Sequence, residues 1–472
     1  MAHYDTVIRG GQVVLADRVL PLDIGIQDGR IAALEVTGLA TADEQIDATG
    51  QVVVPGMIDA HVHLNEPGLD DWEGVPSGTS ALAAGGCTTC IDMPLNGLPP
   101  TTTVEALQAK LALFERRSYI DYAFWGGLVP GNLPQLAPLS DGGVIGYKAF
   151  MSAAGGKQEG AFREADDLTL YEGMSHIAGL GRILALHAES EQITAALTAA
   201  QLRSGARSAQ AYLASRPVYA EVEAVKRALF YARLTGCALH FVHISSPEAA
   251  ELIVQARLEG QDVTLETCPH YLVWTAEELE AIGPLAKCAP PLRSQQDQEG
   301  LWKLIGSGAI DMITSDHSPC PPELKDSSDW FAIWGGISGA QSSLELLLGE
   351  GHVRRGLELP LLCRLLSSNP ARRFGLAPAK GAIAPGADAD LALVDFTAYR
   401  LQREHLLDRH RHNPYAGRQM YCRVTRTLVR GKTVYDLKHQ VAGPPLGQPA
   451  RQLGCKPESL QTASRSALTS TD

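Results

Sequence analysis

Short apolar runs alternate with helix-like segments through the middle of this chain, from about residue 56 to residue 379. The apolar runs are typical of buried strands and include VIGYKAFM, RILALHAE, ALHFVHIS, DVTLETCPH and AIDMITSDHS. Between them lie amphipathic segments with helical periodicity, such as TVEALQAKLALFERR and YAEVEAVKRALFYARL. Repeated strand–helix units predict a parallel sheet, and about 320 residues suffice for an α/β protein built on a TIM-type (β/α)8 barrel with insertions.

Both ends of the chain have a different sequence pattern, in which runs of β-branched residues are interrupted by glycine and aspartate. The first 55 residues contain VIRGGQVVL, DIGIQDGRIAAL and QVVVPG, and the residues after 379 contain KGAIAPGADADLALVDF and CRVTRTLVRGKTVYD. Short strands separated by turn residues predict a small β-sandwich domain built from residues 1–55 and 380–440. The barrel, residues 56–379, would be inserted between its two parts. Residues 441–472 are rich in Pro, Gly, Ser and Thr, which predicts a flexible C-terminal tail.

The overall composition disfavours some classes of function. The 472 residues carry a net charge of −13, which argues against binding to the phosphates of nucleic acids. The opening residues MAHYDTVIRGG lack the pattern of a signal peptide, and no apolar run approaches the ~18 residues that span a membrane. Nine scattered cysteines fit a reducing compartment, so we expect a cytoplasmic protein without membrane contact. Cys87 and Cys90 form a CxxC inside a strand-like run, and we interpret them as structural thiols.

Residues with metal-binding side chains stand at the ends of the strand-like runs. In a barrel, the carboxyl ends of the strands converge on the face where active sites form. His61 and His63 are two apart on an extended segment, so both imidazoles point the same way and can hold one cation. Each such residue alone has an ordinary alternative, because a single histidine is more often a core residue and a single aspartate a turn cap. Together they predict a divalent-metal site formed by His61, His63, Lys148, His187, His243 and Asp316.

Lys148 is the unusual member of this set, because an ammonium group near two divalent cations is repelled by them. Its ordinary alternative is a strand-end lysine paired with an acid. Burial lowers the pKa of a lysine, and a neutral amine combines with carbon dioxide to give an anionic carbamate whose oxygens can bridge two metals. Three further histidines are left out of the ligand set. His240 and His317 are predicted to face away from the site, and His270 to have a supporting or structural role.

The chain carries, in order, the motifs VPGMIDAHVHLNEPG, GYKAFMS, LHAE, HFVHISSPE, CPHYL, KCAPPLR and SDHSPCPPELK. From about residue 5 to residue 436 it resembles the cyclic amidohydrolases, which include dihydroorotase, dihydropyrimidinase (hydantoinase) and allantoinase. The segments IDMPLNGLPPT, SRPVYAEVEAV and WGGISGAQS resemble the allantoinase branch. Two departures separate the chain from the other branches. Dihydroorotases carry arginine where this chain has Asn65, and dihydropyrimidinases carry tyrosine where it has Ala153. Either of those substrates would lose a partner worth about 2–4 kcal/mol of transition-state stabilisation.

The resemblance implies a binuclear metal centre, with zinc favoured and manganese, cobalt or iron also compatible with the ligand types. It also implies a small-molecule substrate, allantoin, and by family analogy a homotetramer. The ligand assignment that it implies places His61, His63 and Asp316 on the first ion, His187 and His243 on the second, and carbamylated Lys148 between both.

The resemblance further implies the catalytic role of Asp316. A hydroxide bridging the metals would attack the hydantoin ring of allantoin, and Asp316 would carry the proton to the leaving ring nitrogen, giving allantoate. Substrate contacts are expected at Asn96, at the backbone of Ala289 and at Ser318. Gly335 and Gly336 either let backbone donors approach the substrate or form a simple turn.

Two alternative functions stay open at this point. The first is a hydantoinase of broad specificity, against which the absence of the tyrosine at position 153 argues. The second is a binding or structural module on the same scaffold that has no catalytic activity. Such modules usually lose their metal ligands, whereas all six positions are filled here, and the metal content of the purified protein would separate the two readings.

Overall fold

The computed structural model describes residues 3–36, 38, 41–156, 158–441, 443–450 and 452. Its first part folds into five strands: β1 (His3–Val14), β2 (Val19–Gln27), β3 (Arg30–Glu35), β4 (Thr41–Asp47) and β5 (Val52–Pro55). Valine and isoleucine side chains favour this conformation, because branched side chains pack well on a pleated surface. β1 pairs antiparallel with β2 and parallel with both β4 and β5.

Gly56 links this sheet to the barrel. A larger residue would not fit there, because a Cβ atom would lie 2.3 Å from the side chain of Thr88. Eight strands follow: β6 (Met57–Val62), β7 (Cys87–Asp92), β8 (Asp121–Gly127), β9 (Gly146–Phe150), β10 (Ile183–His187), β11 (Ala238–Phe241), β12 (Val263–Thr267) and β13 (Met312–Ile313). They pair in parallel and in chain order. Val62 bridges His317, and the His63 N–H donates to the His317 carbonyl at 2.8 Å, which brings the two edges together.

Side chains alternate between the two faces of the barrel strands. On β8, Tyr122 and Phe124 pack into the outer core against the helices, while Ala123 and Trp125 belong to a second cluster. That second cluster gathers alternate residues from most barrel strands together with Phe374, so it fills the barrel interior. The same alternation turns Lys148 inward on β9, since its neighbours on either side, residues 147 and 149, belong to the outer core. The strand pattern therefore brings a lysine into an apolar barrel.

Helices cover the outside of the barrel and connect its strands. Ser246 illustrates how they begin, because its side chain accepts the Ala249 N–H and is followed by Pro247 at the first helical position. The helices are α1 (Val75–Ala84), α2 (Val104–Phe114), α3 (Leu136–Asp141), α4 (Asp167–Gly179), α5 (Glu191–Arg203), α6 (Ala209–Ser215), α7 (Val218–Thr235), α8 (Pro247–Leu258), α9 (Pro269–Val273), α10 (Leu279–Ile282), α11 (Gln295–Gly306), α12 (Ser343–Leu347), α13 (Leu359–Cys363) and α14 (Asn369–Arg373).

The last part of the chain returns to the first sheet. Its strands are β14 (Leu391–Asp395), β15 (Tyr399–Arg400), β16 (Gln419–Met420), β17 (Arg423–Val429), β18 (Lys432–Asp436) and β19 (Gln440–Val441). β14 pairs antiparallel with β5, and β17, β18 and β19 extend the sheet to nine strands, while β15 and β16 pair with each other. The predicted fold class, a TIM-type barrel with a smaller β-domain drawn from both ends, is confirmed. The limits given to the domains stay a prediction.

The predicted C-terminal tail begins against the barrel. The Tyr122 N–H donates to the Gln448 carbonyl at 3.0 Å, and the Ala450 N–H donates back to the Tyr122 carbonyl at 2.7 Å. Residues 442, 451 and 453–472 of the predicted tail lie outside the described residues. Eight cysteines, Cys87 and Cys90 among them, lie within the described ranges, and all eight are buried and unpaired. None of the helices in those ranges combines the length and apolar character that a membrane-spanning segment requires.

Candidate metal centre and active site

The six residues predicted as metal ligands come together at the carboxyl end of the barrel strands. Asp316 Oδ1 lies 3.2 Å from His61 Nε2 and 3.5 Å from His63 Nε2. On the opposite side, His187 Nδ1 faces His243 Nε2 at 2.9 Å, and the His61 and His243 ring centroids are 5.4 Å apart. Lys148 Nζ lies 5.1 Å from the centre of the Phe150 ring, and that ring stacks on the His187 ring at 4.4 Å, so the lysine stands beside the second pair of histidines.

The charge states at this site suit metal binding. Burial outweighs all other effects on His63 and lowers its pKa to about 4, and burial also lowers the pKa of His187 and of His243. Neutral imidazoles are the form that binds zinc-like ions. Burial alone would raise the pKa of Asp316, but the nearby imidazoles of His61 and His63 outweigh it and lower this pKa to about 2. The site therefore offers unprotonated nitrogen ligands and an ionised carboxylate at neutral pH.

The surroundings of Lys148 test whether this residue suits a carbamate that bridges two metal ions. Its side chain is fully buried, and its Nζ has no hydrogen-bond partner among the described residues. Burial lowers its pKa to about 7, so the neutral amine is well populated near neutrality. The ordinary alternative was a lysine paired with an acid. No carboxylate of the described residues lies within hydrogen-bonding distance of Lys148 Nζ, so this alternative lacks support. A buried amine without a partner, surrounded by metal-binding side chains, fits the carbamate that bridges two cations.

The backbone at two of these residues is strained. His243 has φ 38° and Asp316 has φ 46°, in the left-handed region that residues other than glycine rarely adopt. His243 is the second residue after β11 and Asp316 the third residue after β13, where this conformation breaks the two-residue alternation of side chains. Strain of this kind clusters at functional sites, where it aims a side chain that regular geometry would turn elsewhere.

Two buried carboxylates support the histidines from behind. Glu266 Oε1 lies 2.6 Å from His61 Nδ1, and Glu266 Oε2 lies 3.0 Å from His240 Nε2. Glu189 Oε2 lies 2.9 Å from His187 Nε2 and also pairs with Arg216. Each carboxylate accepts a hydrogen bond from the ring N–H that faces away from the centre. This contact fixes the ring orientation and leaves the other nitrogen with a free lone pair for a metal.

A cavity of about 500 Å³ opens above these residues. The three residues predicted to contact the substrate, Asn96, Ala289 and Ser318, all line it, together with Ala153. Asn96 has a second contact, because its side-chain Nδ2 lies 3.2 Å from His63 Nδ1. With the amide oxygen and nitrogen exchanged, Asn96 would accept a hydrogen bond from Nδ1–H and leave Nε2 of His63 without a proton.

The three histidines left out of the ligand set, and the two glycines considered for substrate binding, occupy different positions. His317 faces away from the centre as predicted, since its Nε2 lies 3.4 Å from Glu73. His240, also predicted to face away, instead points into the barrel beneath the centre, because the left-handed turn at His243 changes which residues share a face. His270 is buried and neither ring nitrogen has a partner among the described residues. Gly335 lines the cavity, and Gly336 is required by packing, because a Cβ atom there would lie 2.4 Å from the Ser318 carbonyl oxygen.

Comparison with known proteins identifies the family. Residues 52–434 match the amidohydrolase family over most of the chain. The chain belongs to this family. The resemblance to cyclic amidohydrolases that the ordered motifs indicated is therefore confirmed. The family generally uses a binuclear metal centre, and the side chains described above supply candidate ligands for one.

Curated relatives and solved structures show which members this amidohydrolase resembles. It is 49% identical to the allantoinase of Rubrobacter xylanophilus over 94% of this chain and 97% of that protein. It is 50% identical to the allantoinase of Solibacter usitatus over 92% of this chain and 94% of that protein. Among solved structures, the L-hydantoinase (dihydropyrimidinase) from Arthrobacter aurescens superposes with a TM-score of 0.92 at 34% identity, covering 95% of this chain and 100% of that one.

Sequence reasoning did not find the supporting residues of this amidohydrolase. Glu266 is the penultimate residue of β12, as His61 is of β6, so the search for side chains near strand ends also points to Glu266. Glu189 follows His187 by two residues, in the alternation expected of neighbours on one face. Arg216 and Lys287 line the cavity but belong to loops, and no periodicity in the sequence indicates where a loop residue points.

Proposed function

We propose that this amidohydrolase is an allantoinase, which hydrolyses the cyclic amide of the hydantoin ring of allantoin to give allantoate. The observation that carries the proposal is the buried Lys148 amine, which has no partner in the described part of the chain. It lies among four histidines and Asp316, which line a cavity of about 500 Å³. Curated allantoinases at 49% and 50% identity over nearly the whole chain support the choice of substrate. A cavity of this size accommodates a five-membered ring with a ureido arm.

The proposed centre holds two divalent ions, zinc or another ion that accepts imidazole and carboxylate ligands, such as manganese, cobalt or iron. When bound, such ions lower the pKa of water and polarise a carbonyl oxygen. The side chains that would hold them are His61, His63 and Asp316 on one side, His187 and His243 on the other, and carbamylated Lys148 between the two.

Asp316 has the position and charge state of a proton carrier. Its carboxylate is ionised at neutral pH, lies beside two ligand imidazoles and lines the cavity. It takes a proton as water adds to the ring carbonyl carbon, and returns that proton to the ring nitrogen as the carbon–nitrogen bond breaks. The ring opens to a carboxylate and a free ureido nitrogen, and no covalent intermediate with the chain is needed.

The residue at position 153 of the cavity lining favours an allantoinase over a hydantoinase. Ala153 lines the cavity, and its backbone N–H is occupied by Glu191 at 2.6 Å. No hydroxyl is available there at the position where dihydropyrimidinases carry tyrosine. The likeness to solved hydantoinase structures nonetheless keeps a hydantoinase as the second candidate. The homotetramer, the cytoplasmic location and the absence of nucleic-acid and membrane partners stay predictions.

A substrate panel tests the proposed function. Purified enzyme supplied with zinc or manganese would be offered allantoin, hydantoin, dihydrouracil and dihydroorotate, with ring opening followed by proton NMR. Selective conversion of allantoin to allantoate supports the proposal. Preference for hydantoin or dihydrouracil would replace it with the hydantoinase, and no turnover of any substrate by metal-loaded protein would point to a module without catalytic activity.

A further inference from the structure

Lys287 is a second buried lysine, it lines the cavity, and its contacts leave part of its hydrogen-bonding capacity unused. Only 5% of Lys287 is exposed, yet it lines the cavity together with Ala289 and the proposed metal ligands. Its Nζ donates to the Ile333 carbonyl and stands 4.5 Å from the centre of the Tyr212 ring. No carboxylate within the described residues forms a salt bridge with it. An ammonium group has three donors, so two are available to a molecule in the cavity.

The neighbouring Lys325 differs from Lys287 in the number of acceptors around its Nζ. Lys325 is also buried, but its Nζ donates to carbonyls of the surrounding loops, those of Pro284, Trp334 and Gly336 among them. Lys325 therefore has a complete set of acceptors and a structural role in fixing these loops. Burial, with Lys325 and Arg216 nearby, lowers the pKa of Lys287 to about 7. A buried cation without a matching acceptor is unfavourable unless a ligand supplies one.

Lys287 is also placed away from the centre itself. Its Nζ contacts the Ile333 carbonyl and the Tyr212 ring, and neither of these residues is a proposed metal ligand. The reacting amide of a hydantoin ring has to face Asp316 and the histidines at the base of the cavity. A ring held in this way leaves its substituent within the cavity, whose lining includes Lys287. Allantoin differs from hydantoin in this substituent, a ureido arm whose carbonyl oxygen is a strong hydrogen-bond acceptor.

We propose that the Lys287 ammonium donates a hydrogen bond to the ureido carbonyl of allantoin and so selects this substrate over hydantoins with an apolar arm. The inference rests on the proposed function. A donor positioned for a polar group discriminates strongly, because an apolar arm would leave the buried ammonium without its acceptor. Lys287 is a specificity residue in this role and takes no part in the proton transfers.

The test compares allantoin with 5-propylhydantoin, in which an apolar chain of similar length replaces the ureido arm. We expect Lys287→Met to lower the ratio of the two kcat/KM values about 10–100-fold, as for loss of a charged hydrogen bond, mainly through a raised KM for allantoin. Lys287→Arg keeps the charge and the donors and should retain most of the ratio. Lys287→Gln keeps a donor for the Ile333 carbonyl and serves as the second variant if the apolar one does not fold.

The outcomes separate this inference from the function on which it rests. If the unmodified enzyme opens allantoin but folded Lys287→Met and Lys287→Gln keep the wild-type ratio, or lose activity on both compounds equally, Lys287 has only a structural role and the inference is wrong. If the unmodified enzyme does not open allantoin, the proposed function fails and the inference fails with it.

Discussion

Glu266 Oε1 lies 2.6 Å from His61 Nδ1, and the other oxygen of the same carboxylate lies 3.0 Å from His240 Nε2. The three side chains are buried, so the carboxylate has no water to compensate for a lost partner. Burial would raise the pKa of Glu266, but the two imidazoles outweigh it and hold this pKa far below its usual range. An ionised Glu266 therefore accepts a hydrogen bond from each ring and presents His61 Nε2 to the centre.

Glu266→Gln should weaken metal retention about 10–100-fold, because an amide cannot accept from both rings at once and His61 would lose its fixed tautomer. Metal content measured against a series of chelator concentrations checks this. Glu251→Gln, at an exposed position on α8, is the matched control and should retain metal like the unmodified chain. Equal metal retention in both variants would show that Glu266 does not orient a ligand.

Lys148→Ala should lower the metal content and abolish most turnover, because the proposed bridge between the two ligand groups is lost. Added acetate or propionate should restore part of the activity by supplying carboxylate oxygens in the space that the lysine leaves. Metal analysis and rate measurements with and without the acids test this, with exposed Lys226→Ala as control. Unchanged metal stoichiometry in Lys148→Ala would remove the carbamate from the proposal.

Asp316→Asn should keep the fold and lower turnover of allantoin by about 10²–10⁴-fold, because an amide cannot carry the proton. Steady-state rates, together with metal content at saturating metal, separate loss of proton transfer from loss of a ligand. The control is Asp326→Asn, which removes an exposed carboxylate ten residues further along the chain. Turnover within tenfold of the unmodified enzyme would exclude Asp316 as the proton carrier.

Lys380→Met should destabilise the protein by about 3–5 kcal/mol, because buried carboxylates lose the cation that they share. Asp121 keeps its salt bridge with Arg430 in the variant. Lys380 Nζ lies 2.7 Å from Asp121 on the barrel, and 3.2 Å and 2.5 Å from Asp388 and Asp390 next to the nine-stranded sheet. Denaturant unfolding of the variant, compared with that of exposed Lys432→Met, measures the effect. A loss no greater than in the control would mean that this cluster does not hold the barrel and the sheet together.

The raised pKa of Glu345 leads us to expect that the stability of the protein depends on pH. Burial raises its pKa from 4.5 to about 7. Between these values the folded state keeps a proton that the unfolded state has released, so this residue makes the protein less stable as the pH rises from about 4.5 to 7. Glu345→Gln does not titrate, and its stability relative to the unmodified chain should increase by up to about 3 kcal/mol between pH 5 and pH 8.

Thermal midpoints at pH 5, 6, 7 and 8 measure this difference, with exposed Glu404→Gln as the control for which no such trend is expected. A constant difference between Glu345→Gln and the unmodified chain across this range would contradict the assigned pKa.

The local sequence was sufficient for the fold class and for the members of the proposed centre. Strand-forming runs and helical periodicity repeat along the chain, and these depend on neighbours only a few residues apart. The carboxyl ends of parallel strands necessarily share one face, so the strand-end residues His61, Lys148, His187, His243 and Asp316 could be grouped without coordinates. The ordered motifs then indicated the amidohydrolase family.

Only the tertiary structure decided the contacts between residues far apart in the chain. Glu266 meets His61 across 205 positions, and Lys287 reaches the cavity from a loop without periodicity. His240 follows the regular alternation of β11, whereas the left-handed backbone at His243 redirects the His243 side chain, and residue types do not reveal such strain. Side-chain type and spacing thus determine which chemistry the chain can support, whereas burial and long-range packing decide which atoms face each other and in which charge state.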